Sequence, residues 1–142
     1  MCCFMVDDKQ KELQEKYFQL QVLDSQIQQL QKQHKLLEEH VAELFVAKQG
    51  LDDLSRASVG SEILAPFSSG IFVKGVLSNN SEVVVNVGSN VAVRKSVPDA
   101  IILLDAQLGE VREAQTNVLL ELSGLTKQAM GLESELRALT NI

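Results

Sequence analysis

The chain has 142 residues, 45% of them apolar, and a formal net charge of −6. This length suits one domain, and the acidic balance excludes a general binder of phosphate backbones, which needs a basic surface. Five Phe, one Tyr and no Trp are few aromatics for a broad globular core, so an elongated molecule with a thin core is expected.

The opening stretch "MCCFMVDDKQ" passes abruptly from apolar to charged. Its apolar run is too short for a signal-peptide core followed by a cleavage site, and no positive residue precedes it. It also falls far short of the roughly 20 apolar residues of a membrane span. Position 2 is Cys rather than Gly, which excludes N-myristoylation. Neither an address nor an anchor is expected there. Adjacent Cys2 and Cys3 are poorly placed to bridge each other. They read as flexible, unligated thiols in a reducing, cytoplasmic setting rather than as a metal fragment or an acylation site.

From Leu13 the apolar positions step by alternating threes and fours. Leu20, Leu23, Ile27, Leu30, Leu37, Val41, Leu44 and Leu51 keep one heptad frame, with the polar residues Lys16, His34 and Lys48 in the same seam. This predicts a first helix over 7–56. His34 reads as a polar seam residue that sets register, in preference to a pH switch or a catalytic group.

The period then changes to two. "EILAPF" and "IFVKGVL" flank Ser68-Ser69-Gly70, "EVVVNVG" and "VAVRK" flank Ser89-Asn90, and Ser78-Asn79-Asn80-Ser81 joins the pairs. Two β-hairpins over 62–96 are expected. Ile71, Val73 and Leu77 share one face, as do Val83, Val85 and Val87, and Val91 and Val93. Four short strands cannot close a barrel alone, so these eight residues are the expected oligomerisation surface.

A second helix is predicted over 97–140. Ser96 opens an S-x-x-D capping pattern with Asp99, and Pro98 falls in the first turn. Ile101, Leu104, Leu108, Val111, Val118, Leu122, Leu125, Ala129, Leu132, Leu136 and Leu139 keep one frame, broken only by Gln115. The seams 13–51 and 101–139 are equal in length, each about 58 Å at 1.5 Å per residue. Equal arms around a compact insert suggest antiparallel pairing, with residue x level with about 152 − x if Leu51 faces Ile101. In that register Phe45, Val46, Ile102 and Leu103 gather near the β segment, where burial against the hub is expected. Phe18 and Met130 lie toward the other end, outside the seam.

Coil, two hairpins, coil: this arrangement resembles the α class of prefoldin subunits. The resemblance covers roughly residues 7–140. Its most specific part is "ILAPFSSGIFVKGVLSNNSEVVVNVGSNVAVRKSVPDAI", with a proline-containing first strand, a glycine turn and a V-x-V-G-x-x-V-A-V-like second hairpin. Two hairpins point to the α class, since β-class subunits carry one. The resemblance implies an α+β fold in which a long antiparallel two-helix coiled coil carries two central β-hairpins that assemble into an oligomeric β-barrel hub. It also implies a hexamer of two α-class and four β-class subunits, whose coils hold unfolded client proteins and deliver them to a group II chaperonin.

Client contacts are expected at the coil end away from the hairpins: Phe4, Met5, Val6, Leu13, Phe18, Met130, Leu132, Leu136, Leu139 and Ile142. Of these, Leu13, Leu132, Leu136 and Leu139 also belong to the seam and have coil packing as their ordinary role. There is no HExxH, phosphate loop or four-ligand Cys/His set. Asp52 and Asp53 read as a solvated helix face. No catalysis, cofactor, metal, nucleic acid or membrane partner is expected. A structural coiled-coil adaptor that binds one folded partner is the alternative reading.

Overall fold

The computed structural model describes residues 2–140, with side chains from Asp8 to Thr140. The element order is α1 (Cys2–Arg56), β1 (Glu62–Ser68), β2 (Ile71–Val76), β3 (Glu82–Asn86), β4 (Ala92–Ser96) and α2 (Val97–Thr140). Helix α1 starts upstream of the first heptad position; the sequence holds no Pro or Gly before Gly50 to interrupt it. The chain divides into two compact units. One comprises the residues up to Glu39 and those from Arg112 onward, and the other spans His40–Val111.

In the first unit the paired segments are parts of α1 and α2. Every described seam position there, from Leu13 to Leu37 and from Gln115 to Leu139, is buried or half-buried. The neighbouring b, c and f positions are exposed. Ala129 and Leu136 are the most enclosed. Residues 18–23 lie beside 128–135, and 26–33 beside 121–125, so the segments run antiparallel. The thin core expected from the composition is present: among the described residues no large side chain is wholly buried.

In the second unit, Leu44 and Leu108 are buried on the seam, with Val97 and Ala100 buried at the start of α2. Lys48 Nζ reaches Asp105 Oδ1 at 2.7 Å across the two helices. Strands β1 and β2 pair antiparallel, as do β3 and β4, and each pair is a separate two-stranded sheet. The β1–β2 register shifts between Pro66 and Ser68, a bulge that leaves Phe67 unpaired. The turn after β3 has positive φ at both Ser89 and Asn90, with Val91 N–H donating to Gly88 C=O at 3.0 Å. These are the marks of a type I′ hairpin turn.

Local polar groups tie the insert to the helices. Asn80 Nδ2 donates to Ala57 C=O at 3.0 Å, just past the end of α1. Asn79 Oδ1 accepts from the Ser81 N–H and hydroxyl, both at 2.8 Å. Gly60 N–H donates to Leu77 C=O at 2.7 Å and Val97 N–H to Ser81 C=O at 2.9 Å. The capping pattern read from the sequence is formed: Asp99 N–H donates to Ser96 Oγ at 3.3 Å at the start of α2.

Candidate functional site

The second unit carries an apolar surface on its hairpins. Ile71 and Val73 are exposed on β2, Val73 at 50%, and Val87, Val91 and Val93 are exposed around the second turn. Val83 and Val85 are half-buried, and Leu77 is buried within the chain. Leu64, Phe72, Val76 and Val84 alternate with those residues and are exposed as well. Reading one apolar face per hairpin therefore missed the second face. The signal was present in "IFVKGVL", where apolar residues occupy both parities. Each sheet has two strands, so every strand also has one open edge of backbone N–H and C=O groups.

Phe45, Val46 and Ile102 are exposed, and Leu103 is half-buried. The burial expected for this cluster is not supplied by the chain's own hairpins.

The first unit carries a second apolar surface. Phe18 and Met130 project from f and b positions at 67% and 64% exposure. Phe18 and Leu132 line one open groove with Val22 and Leu23; Met130 is outside it. Leu13, Leu132 and Leu139 are half-buried and Leu136 is buried, as their seam positions require. The side chains of Phe4, Met5 and Val6, and residue Ile142, lie outside the described residues.

Lys16, a polar residue in the seam, reaches Glu135 Oε2 of α2 at 3.0 Å and Glu12 Oε1 of its own helix at 3.4 Å. Hydrogen bonding to Glu135 raises the Lys16 pKa above its ordinary value; partial burial opposes the rise, and Glu12 adds to it. Both Lys16–Glu135 and Lys48–Asp105 fall within one residue of the x to 152 − x register. His34 Nδ1 lies 3.6 Å from Glu38 Oε1, one turn along the same helix. Among the described residues no group of three or more His, Cys, Asp or Glu is placed to hold a metal ion. No helix among them is long and apolar enough to cross a membrane.

Paired helices with a double-hairpin insert and an uncovered β surface define an α+β coiled-coil subunit. The family model for Prefoldin, described as Prefoldin subunit, matches residues 23–141, and the chain belongs to that family. It is 36% identical to Prefoldin subunit alpha of Pyrococcus horikoshii over 73% of this chain and 71% of that protein. With Prefoldin subunit alpha of Thermofilum pendens it shares 28% identity over 82% of this chain and 90% of that one. A chain in the cryo-EM structure of filamentous PFD from Methanocaldococcus jannaschii superposes with a TM-score of 0.75 at 19% identity, covering 84% of this chain and 98% of that chain. The family is one of non-enzymatic chaperones whose subunits assemble into oligomeric complexes.

Proposed function

We propose that this chain is the α-class subunit of a cytoplasmic hetero-hexamer containing two α-class and four β-class chains. It is a non-enzymatic, ATP-independent holdase that captures unfolded proteins on its coil and passes them to a group II chaperonin. Its single domain comprises a coil helix over 7–56, hairpins over 62–96 and a coil helix over 97–140. The hairpins form the assembly hub, and Phe18 and Met130 contribute client contacts together with Phe4, Met5, Val6, Leu13, Leu132, Leu136, Leu139 and Ile142.

The observation that carries this reading is the hairpin surface. Both faces of β2 and the rim of the second turn present apolar side chains that the described residues leave at least half exposed. Burying one Val side chain is worth about 1.5–3 kcal/mol, so a partner that covers several stabilises the whole. Val73→Asp, at a position this chain leaves half uncovered, is expected to lower the mass of the complex formed with a β-class subunit in native mass spectrometry. The wild-type complex is expected to suppress aggregation of several unrelated unfolded proteins without ATP. Saturable binding of one folded partner, with no effect on aggregation, would overturn the holdase reading in favour of an adaptor.

A further inference from the structure

We propose that Lys16 and Lys48 are pairing-specificity residues, which direct the seam of α1 to α2 and bar it from a second copy of α1. These are the two lysines of the heptad seams, and both stand on α1. The seam of α2 holds no charged residue; its acids flank the stripe, Glu135 just before Leu136 and Asp105 just after Leu104. Lys16 Nζ lies 3.0 Å from Glu135 Oε2, and Lys48 Nζ lies 2.7 Å from Asp105 Oδ1. Each ammonium that interrupts the apolar stripe of α1 is therefore neutralised from α2.

A second α1 supplies no such acid. In a parallel, in-register pair each seam residue meets its own copy, so Lys16 faces Lys16 and Lys48 faces Lys48. In an antiparallel pair with the two 13–51 seams fully overlapped, Leu13 is level with Leu51 and Lys16 with Lys48, twice over by symmetry. The flanking positions that Glu135 and Asp105 fill in α2 are then taken by Ala47 and Tyr17. Like charges brought together in a seam repel, and each loses hydration without gaining a counter-charge. Both alignments of α1 with itself carry that penalty at two levels.

The same two pairs reject a slipped coil. Moving α2 by one heptad brings Gln128 to Lys16 and Pro98 to Lys48 in one direction, and Ile142 and Arg112 in the other. Neither slip offers an acid to either lysine. Aliphatic residues fill most of both seams, so burial alone does not tell α2 from a second α1. A charged residue in the seam makes that distinction at some cost in stability.

The test uses the full chain with Cys2→Ser, Cys3→Ser and a label at Lys32→Cys, an exposed f position that is level with itself in both self-pairings. Donor- and acceptor-labelled pools are mixed in denaturant and refolded together at several concentrations, and energy transfer between chains is read. With both lysines present, transfer is expected to stay low. Lys16→Leu/Lys48→Leu is expected to raise the share of chains showing transfer by about tenfold as the repulsion is removed. Lys16→Arg/Lys48→Arg keeps the charges and is expected to stay at the wild-type level. Lys16→Glu/Lys48→Glu chains are expected to show little transfer among themselves. Mixed with chains that keep the lysines, they are expected to show strong transfer, because opposite charges then meet between the two copies of α1. A leucine variant that matches the wild type at every concentration overturns the proposal. So does a mixed pool that transfers no more than its two parents, a comparison that stands even where the leucine variant precipitates. Transfer from Lys32→Cys of one pool to Ser123→Cys of the other that exceeds transfer between two Lys32→Cys labels assigns the association to exchanged α1–α2 pairs and also overturns it.

Discussion

Lys16 sits where a leucine would ordinarily be, and its two carboxylate partners explain how the seam tolerates it. A group whose pKa is higher in the folded than in the unfolded chain stabilises the fold fully below its unfolded value. That contribution is lost as pH rises through the folded one. For Lys16 the ordinary value is 10.5, so the loss begins only in strongly alkaline solution. Circular dichroism melts of wild type and Lys16→Met should therefore diverge most above that pH, with the wild type falling and the variant much flatter. Ser96 is the second informative residue. Its hydroxyl accepts the Asp99 N–H at the start of α2, and removing such a cap costs about 1 kcal/mol. Ser96→Ala is expected to lower stability by that amount, read as a fall of about 3–4 °C in the thermal midpoint, with Ser96→Thr recovering most of it.

Two glycines isolate what element geometry demands. Gly109 lies inside α2 and Gly70 in the turn between β1 and β2, and a Cβ at either meets nothing within 4 Å. Packing therefore does not distinguish them; backbone conformation does. Gly109→Ala should raise stability by about 1 kcal/mol, the helix-propensity difference. Gly70 has φ +78°, so Gly70→Ala should cost about 1 kcal/mol through left-handed strain. Thermal denaturation of both variants checks the opposite signs. The helices and hairpins were legible because period and turn residues agreed locally. The Phe67 bulge was missed although Pro66 stands beside it, because proline fits an edge strand as readily as a bulge.

At the scale of the molecule, the 152 − x register was legible from two equal seams, and two ion pairs now lie within a residue of it. The exposure of Phe18 and Met130 followed from their f and b positions. The groove beside Phe18 did not, because it depends on g and c positions of two helices distant in sequence. The second apolar face of the hairpins was legible in the apolar residues of both parities over 71–77 and was missed by reading a single face. On the proposed holdase function, client capture from several weak sites would add by multivalency, so a change in each copy should be amplified. Phe18→Ser with Met130→Ser is expected to weaken capture of an unfolded protein by at least several-fold, with native mass and helicity unchanged. Undiminished capture by such an intact assembly would remove these two side chains from the client surface.

The two cross-helix ion pairs also set a clock. Lys16 and Glu135 are separated by roughly twice as much chain as Lys48 and Asp105, and each doubling of a closed loop adds about 0.6 kcal/mol of entropy cost. Loop closure alone thus favours the pairing nearer the hairpins by about threefold over that of Lys16 with Glu135. On the ribosome α1 emerges complete long before the partner seam of α2 has been made. Through that interval the nascent chain displays the same unpartnered apolar surface that, on our proposal, the finished molecule binds in others.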